Sequence, residues 1–187
     1  MTKVIGLYSS APRSGKTAVS HALERKTFVR VPFAEPLKDM VFPLLVSIGY
    51  TPEQAVQRLY HDKELLLDVF GVSTRHLLQT LGTEWGRTCI APDMWLRVWQ
   101  ARIKQYEYVV VDDVRFENEA ELIRSLGGEV WKITRKGVTN THTHASEGSL
   151  DKWPHFARYI ENDGTLEQLL HGVAQIPLGQ DGADTPS

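Results

Sequence analysis

Residues 4–17 read VIGLYSSAPRSGKT and carry the clearest structural pattern of the chain. It begins with an apolar run of strand length and continues through a polar, flexible segment. Gly15, Lys16 and Thr17 then open a helix-like run. Strand, loop, Gly-Lys-Thr and helix in this order predict a phosphate-binding loop, in which backbone N–H groups and a helix N-terminus hold polyphosphate anions. We expect Lys16 to reach the β- and γ-phosphates and the Thr17 hydroxyl to bind Mg²⁺.

The loop departs from the usual pattern at one position. A glycine normally stands five residues before Gly15, and this chain has Ser10 there. Serine fits if the backbone at that position does not need a positive φ, so we expect the loop to bind phosphate despite this difference. The alternative is a serine-rich turn that contains Gly-Lys-Thr by chance, and the strand before it and the helix after it argue against that alternative.

Composition indicates a soluble globular protein. The 187 residues are 42% hydrophobic and 24% charged, which suits one α/β domain that buries a real core. A net charge of −2 favours neither a nucleic-acid polymer nor a membrane as partner. Cys89 is the single cysteine, which excludes an internal disulfide, and no leader or membrane-spanning run is visible. We therefore expect a cytoplasmic location.

Hydrophobic patterns alternate along the chain between strand-like runs and helix-like runs. This alternation predicts an α/β fold of the phosphate-loop NTPase type, with a parallel sheet flanked by helices. We expect one domain over 1–176, with a helical substrate-binding insertion at about 38–105 and a lid loop at about 136–150. The tail 177–187 is predicted to be disordered. The predicted strands lie at 4–7, 28–31, 108–111, 129–134 and 157–160, and the segment 61–70 is left open between helix and packed loop. A helix capped by Ser73 is predicted over 74–86, and residues 162–164 are predicted to form a turn before a closing helix that Thr165 caps.

Two acidic residues close the apolar strand 108–111. Asp112 and Asp113 follow it directly, and an acidic residue in that place holds the Mg²⁺ shell in phosphate-loop enzymes. The alternative is that one of them caps the next helix. The pattern leaves open which carboxylate does what, and favours Asp112 near the metal and Asp113 towards the phosphate acceptor.

Phosphoryl transfer also needs cations that bind phosphate oxygens. Arginine does this in pairs of hydrogen bonds and keeps its charge. Arg115 and Arg135 are favoured because they follow predicted strands, although a surface ion pair is the alternative for any one arginine. The other candidates are Arg13 in the loop and Arg75 and Arg87 in the insertion.

Aromatic and amide side chains in the insertion suit a nucleobase. Trp85 and Trp95 could stack on a base and Gln79 could hydrogen-bond it, with core packing as the alternative for the two aromatic residues. His142 and His144 lie two apart on a polar loop with no cysteine nearby, which makes a poor zinc site. We expect a loop or lid role for them.

A set of motifs runs in order through the chain up to about Leu170. They are APRSGKT at 11–17, FAEPLK at 33–38, LLQTLGTEWGR at 77–87, PDMW at 92–95, VVVDDVRFENEAELI at 109–123, GGEVWKITR at 127–135, HASE at 144–147 and IENDGTLEQL at 160–169. This set resembles the deoxynucleoside monophosphate kinases of tailed bacteriophages. The resemblance implies a phosphate-loop core, a monophosphate-binding insertion and a closing lid.

The resemblance also implies a reaction and its residues. The γ-phosphoryl group of ATP would pass to a deoxynucleoside 5′-monophosphate with Mg²⁺, giving dNDP and ADP. Members of that family often have Asp-Thr after the lysine, whereas in this chain Thr17 follows Lys16 directly. Together the predicted residues are Lys16, Asp112, Asp113 and Arg115 for catalysis; Arg13, Ser14, Gly15, Lys16, Thr17 and Arg135 for ATP; Lys38, Arg75, Gln79, Trp85, Arg87 and Glu147 for the acceptor; and Thr17 and Asp112 for the metal.

Three other functions share parts of this pattern. A phosphomevalonate kinase of the animal type and a dephospho-coenzyme A kinase have a similar loop and topology, and a regulatory module could bind ATP without turnover. The long insertion with its arginine and tryptophan residues favours an enzyme with two substrates. A phage-encoded protein would act in the cytoplasm of the host cell, and a homodimer is one alternative for its assembly.

Overall fold

The structure is a computed structural model that describes residues 2–11, 13–137 and 149–178. Helices and strands alternate along it, apart from a mostly helical stretch in the middle. The elements are β1 (Lys3–Tyr8), α1 (Lys16–Glu24), β2 (Val29–Arg30), α2 (Glu35–Ser47), α3 (Pro52–Tyr60), β3 (Leu66–Leu67), β4 (Val72–Ser73), α4 (Thr74–Thr80), a π-helical segment (Leu81–Ile90), α5 (Met94–Ile103), β5 (Tyr108–Val111), α6 (Glu117–Ser125), β6 (Glu129–Thr134), β7 (Arg158–Glu161) and α7 (Leu166–Ala174).

Five strands form one parallel sheet in the order β2-β5-β1-β6-β7. The strand β5 lies between β2 and β1, and its residues Val109, Val110 and Val111 are fully buried. A strand covered on both faces needs apolar side chains on both, which is why this run shows no polar alternation. The predicted α/β class with a parallel sheet is confirmed.

Helices cover both faces of this sheet. On one face α1 and α7 pack their buried leucine and valine side chains against Ile5, Leu7 and Ile133. On the other face α5 and α6 cover Val4, Val109 and Val130, among other residues. The sheet is thereby buried between two helical layers, and only the ends of its strands remain open for a site.

One close approach in the core depends on a glycine. A Cβ atom at Gly6, in the middle of β1, would lie 2.6 Å from Ile123 Cδ1 and 2.9 Å from Val114 Cγ2. Contacts this short would force Ile123 or Val114 to shift, so the observed close packing of α6 on β1 depends on the glycine. The strand that leads into the predicted phosphate loop is therefore held firmly from this side.

The insertion between β2 and β5 is mostly helical but contains a short hairpin. The sequence pattern predicts helix over 38–105, except at 61–70, where it fits either helix or a packed loop. In the structure β3 and β4 pair as antiparallel strands within residues 66–73. Gly71 lies in the left-handed region at φ +66°, which allows the tight turn between them. Leu67 of β3 is buried with Val41 and Leu45 of α2, so this pairing brings an apolar side chain into the insertion's own core.

The helix predicted over 74–86 also differs from the observed structure. It is α4 followed by the π-helical segment, in which Gly82 and Gly86 are buried. The indole N–H of Trp95 donates to the Gly82 carbonyl at 2.8 Å, and a Cβ atom at Gly86 would lie 2.3 Å from the same indole nitrogen. The two glycines let the tryptophan pack directly on the backbone of this segment.

No helix in the described ranges is both long enough and apolar enough to cross a membrane.

Candidate functional site

The described residues of the loop between β1 and α1 include two with a positive φ. Gly15 precedes the helix with φ at +107° and Arg13 has φ at +55°, so the chain passes twice through the left-handed region. A Cβ atom at Gly15 would lie 2.6 Å from Asn162 Nδ2, which means that only glycine fits. Ser10 does not have a positive φ, and this agrees with the expectation that serine is tolerated there.

Two cationic side chains approach this loop, one from the start of α1 and one from the end of β6. Lys16 Nζ lies 3.4 Å from the Ser9 carbonyl oxygen, so the lysine folds back over the loop. The exposed Thr17 follows it in the first turn of α1. Arg135, at the end of β6, donates to the Arg13 carbonyl at 3.3 Å. The residues predicted to bind ATP are thus grouped at the carboxyl ends of β1 and β6, where a helix N-terminus adds a partial positive charge.

The acid pair lies at the end of β5, next to the loop strand. Asp113 accepts from the backbone N–H groups of Phe33 and Ala34 at 2.8 and 2.9 Å. Asp112 Oδ2 accepts from Arg30 Nε at 2.8 Å, whereas its Oδ1 is buried and has no hydrogen-bond partner in the described part of the chain. Neither carboxylate caps α6, whose first turn is held by Glu119 instead.

The two carboxylates differ in their electrostatic surroundings. Burial raises the pKa of Asp113, and the neighbouring charge of Asp112 raises it further, while the backbone N–H groups of Ala34 and Phe33 and the Arg115 cation oppose this rise. Asp112 is paired with Arg30 and is 9% exposed. The free Oδ1 of Asp112 is a hard oxygen donor of the kind that Mg²⁺ prefers, so the residues at this strand end fit a magnesium ion.

A cavity of about 200 Å³ lies beside the acid pair, between the insertion and the sheet. Five predicted site residues line it, from three separate parts of the chain: Arg75, Gln79, Arg87, Asp113 and Arg115. Trp95 lines it as well. Two further charged residues in its wall, Lys63 and Glu119, were missed by the sequence analysis.

Glu119 lies in the first turn of α6 and connects the sheet to the insertion. Its Oε2 accepts from the backbone N–H groups of Arg115 and Phe116 at 2.8 and 3.1 Å, and its Oε1 accepts from Arg87 Nη2 at 3.2 Å. The Arg87 guanidinium stacks on the Phe116 ring at 4.4 Å. An acidic residue in a helix's first turn could be identified as a capping group from sequence, but its contact with an arginine 32 positions away could not.

The ionisation of Glu119 predicts a pH dependence of stability. Burial is the largest cause that raises its pKa from 4.5 to about 7, with the Asp113 charge adding to it. The folded protein therefore holds this proton more tightly than the unfolded chain does. The contribution of Glu119 to the free energy of unfolding consequently falls as the pH rises from about 4.5 to about 7. Glu119→Gln cannot ionise, so its melting temperature relative to wild type is expected to rise over that range.

Thermal unfolding followed by circular dichroism at several pH values measures this difference. Glu117→Gln is the matched control, because Glu117 is exposed in the same first turn of α6. The control is expected to show no trend between wild type and variant over the same pH range. A difference for Glu119→Gln that stays constant with pH would contradict the assignment.

Lys63 supplies a cation to the cavity wall from the segment before β3. Burial lowers the pKa of its amine, and the nearby cations Lys38, Arg75 and Arg115 lower it further. The backbone of Arg75 donates to the Lys63 carbonyl at 2.9 Å, which ties the two cavity residues together. Crowded positive charges of this kind are stabilised by an anionic ligand such as a phosphate ester.

Two predicted acceptor residues lie elsewhere. Lys38 is buried, pairs with Glu35 at 2.9 Å and lies 4.1 Å from the Tyr60 ring centre, and it does not line the cavity. Trp85 is 39% exposed and lines a separate apolar groove with Met40 and other residues. Trp95, whose ring centre lies 6.2 Å from that of Trp85, lines the cavity instead.

Several predictions fall outside the described residues. Glu147, His142 and His144 lie there, as do most of the predicted lid and most of the predicted tail.

An anion-binding loop beside a second, cation-lined cavity is the arrangement of a phosphate-loop kinase. A family model described as deoxynucleotide monophosphate kinase matches residues 44–173. A protein of Acanthamoeba polyphaga mimivirus named as a deoxynucleotide monophosphate kinase is 30% identical over 184 residues, which cover 91% of this chain and 93% of that protein. The chain belongs to the deoxynucleotide monophosphate kinase family and is therefore a kinase.

Two phage relatives match over shorter stretches. The deoxynucleotide monophosphate kinase of Enterobacteria phage T4 is 29% identical over 106 residues, which cover 54% of this chain and 44% of that protein. The deoxynucleoside-5′-monophosphate kinase of Escherichia phage T5 is 34% identical over 86 residues, which cover 45% of this chain and 33% of that protein. The crystal structure of TT1252 from Thermus thermophilus matches 92% of this chain and 95% of that chain with a TM-score of 0.53, at 14% identity, which is a likeness of fold alone.

Proposed function

We propose that this protein transfers the γ-phosphoryl group of ATP to a deoxynucleoside 5′-monophosphate, giving the diphosphate and ADP. The observation that carries the proposal is the position of the cation-lined cavity beside Asp113, at the end of β5. β5 pairs with β1, with Val111 opposite Gly6, so the acid pair and the phosphate loop leave the same edge of the sheet on adjacent strands. Two phosphate groups bound at these places would face each other.

The donor side is formed by the loop and by the cations around it. Backbone N–H groups of Ser14 and Gly15 and the N-terminus of α1 would hold the triphosphate, and Lys16 would stabilise charge on the moving group. Arg13 and Arg135 lie at the rim of the loop and would bind the donor from outside. Thr17 and Asp112 would hold Mg²⁺, which neutralises phosphate charge when bound.

The acceptor side is formed by the cavity. Lys63, Arg75 and Arg115 would bind the monophosphate, and Asp113 would lie beside its attacking oxygen. Gln79 and Trp95 line the part of the wall formed by the insertion and would contact the base. The insertion 38–105 and the sheet would thus act as one catalytic unit within residues 1–176, because both contribute to the same cavity wall.

A screen of acceptors tests the proposal. Purified protein with Mg²⁺ and ATP is offered each of the four deoxynucleoside monophosphates, phosphomevalonate and dephospho-coenzyme A, and the products are separated by anion-exchange chromatography. We expect equal amounts of ADP and deoxynucleoside diphosphate. Turnover only with one of the other acceptors, or ATP binding without acceptor-dependent ADP release, would overturn it. The family match favours neither of these outcomes.

The cation Lys63 provides a second prediction. Lys63→Met removes one charge from the cavity and keeps most of the side-chain volume. We expect the KM for the deoxynucleoside monophosphate to rise by roughly ten-fold or more, as for the loss of a charged hydrogen bond. The KM for ATP is expected to stay unchanged, since the lysine lines the acceptor cavity and not the phosphate loop. Steady-state kinetics with each substrate varied in turn measure both constants.

Lys104→Met is the matched control for this substitution. Lys104 is exposed at the end of α5 and does not line the cavity. Its replacement is expected to change neither constant. Equal effects of the two substitutions, or a rise in the KM for ATP alone, would show that Lys63 does not bind the acceptor.

A further inference from the structure

The turn between β7 and α7 contacts the phosphate loop through one buried side chain. Asn162 is 6% exposed, and its Nδ2 donates to the Ser14 carbonyl at 2.8 Å. Its own backbone N–H donates to the Thr134 carbonyl at 2.8 Å, which fixes the residue at the end of β6. The sequence pattern identified this position only as part of a turn.

The Asn162 amide also packs against Gly15. The position where a Cβ atom of Gly15 would lie is 2.6 Å from Asn162 Nδ2 and 3.0 Å from Leu169 Cδ2. Because the C=O and N–H of a trans peptide point in opposite directions, an amide that holds the Ser14 carbonyl also directs the Gly15 N–H away from Asn162. A single side chain thus fixes the orientation of the peptide just before α1.

The same turn has a second connection to the donor side. Asp163 accepts from the Lys136 backbone N–H at 2.7 Å and pairs with Lys136 Nζ at 2.9 Å. The neighbour of that lysine, Arg135, donates to the Arg13 carbonyl. Contacts therefore connect the turn to the end of β6, the end of β6 to the phosphate loop, and the loop back to the turn.

We propose that Asn162 is a positioning residue for the donor-phosphate loop, holding the Ser14–Gly15 peptide in the orientation that binds the triphosphate. The inference rests on the proposed function only in that the loop binds ATP. In the proposed binding mode Asn162 itself would not contact the nucleotide. It acts through the loop backbone, and its loss lowers the affinity for ATP without changing the acceptor cavity.

Asn162→Asp tests this with almost no change of shape. The carboxylate cannot donate to the Ser14 carbonyl, so the peptide loses its partner and meets a negative charge. We expect the Kd for Mg²⁺-ATP, measured by titration calorimetry, to rise on the order of ten-fold. The KM for ATP is expected to rise with it, while the KM for the deoxynucleoside monophosphate stays at the wild-type value. Asn118→Asp, at an exposed position of α6, is the matched control and is expected to change none of these.

Asn162→Ala separates positioning from general stability. A purely structural role predicts a lower melting temperature but wild-type ATP affinity at temperatures where the variant is folded. The proposal predicts weaker ATP binding there, and a smaller ATP-induced rise in melting temperature for both variants. Wild-type ATP affinity in either folded variant overturns it. A wild-type protein that binds ATP but phosphorylates no deoxynucleotide would refute the proposed function and leave this inference standing.

Discussion

Lys16→Ala is expected to lower kcat for phosphoryl transfer on the order of a thousand-fold, the upper range for removing one preorganised charge from a transition state. The lysine begins α1 and folds back across the loop towards the Ser9 carbonyl. In the proposed binding mode its amine would lie beside the outer phosphates of the triphosphate. Its charge is most useful when negative charge spreads over the transferring group, which is why kcat is affected most.

The measurement is steady-state transfer to a deoxynucleoside monophosphate at saturating substrates, with circular dichroism as the check of folding. Lys152→Ala removes a lysine at an exposed position and serves as the control. The control is expected to retain full activity. Substantial kinase activity in folded Lys16→Ala would show that the loop is not the donor site.

Asp112→Asn has the second-largest expected effect, a fall in kcat on the order of a hundred-fold. Arg30 Nε holds one carboxylate oxygen at 2.8 Å and so fixes the orientation of the group, while the buried Oδ1 has no hydrogen-bond partner in the described ranges. Asparagine keeps an oxygen but loses the charge that binds a divalent cation. The variant is therefore also expected to need a higher Mg²⁺ concentration for half-maximal activity.

Titration of activity with Mg²⁺ in the variant and the wild type tests this role. If Asp112 served only to pair with Arg30, Arg30→Ala would lower kcat as much as Asp112→Asn does. We expect Arg30→Ala to have a clearly smaller effect, and Asp68→Asn, at an exposed position after β3, to have none. An unchanged Mg²⁺ requirement in Asp112→Asn would contradict the metal assignment.

The sequence predicted those strands and helix ends whose formation depends on residues close together in the chain. The bounds of β5 and β6 agree with the predicted runs, because an unbroken apolar strand in a parallel sheet has few alternatives. The helix α7 begins after Thr165, whose side chain accepts from the Gln168 N–H as expected of a helix cap. The parallel direction of the strands agrees with the prediction from the alternation of strands and helices, which did not specify their order.

The site was less predictable, because its contacts join distant parts of the chain. The π-helical segment has more residues per turn than an α-helix, so the helical spacing that was assumed over 74–86 does not give the correct faces. Trp85, within this segment, lines a separate groove, and Trp95 of α5 lines the cavity instead. Lys63 was missed because it precedes a hairpin that no strong local pattern marks, and the role of Glu119 depends on Arg87 in another element.

A structure with both nucleotides bound is the decisive test of the proposed kinase site. The protein would be crystallised with Mg²⁺, a non-hydrolysable ATP analogue and a deoxynucleoside monophosphate. We expect the triphosphate against Ser14–Thr17 and the monophosphate in the cavity beside Lys63 and Arg115, with the two phosphates facing each other. A monophosphate bound away from this cavity, or a loop that leaves the triphosphate in solvent, would contradict it.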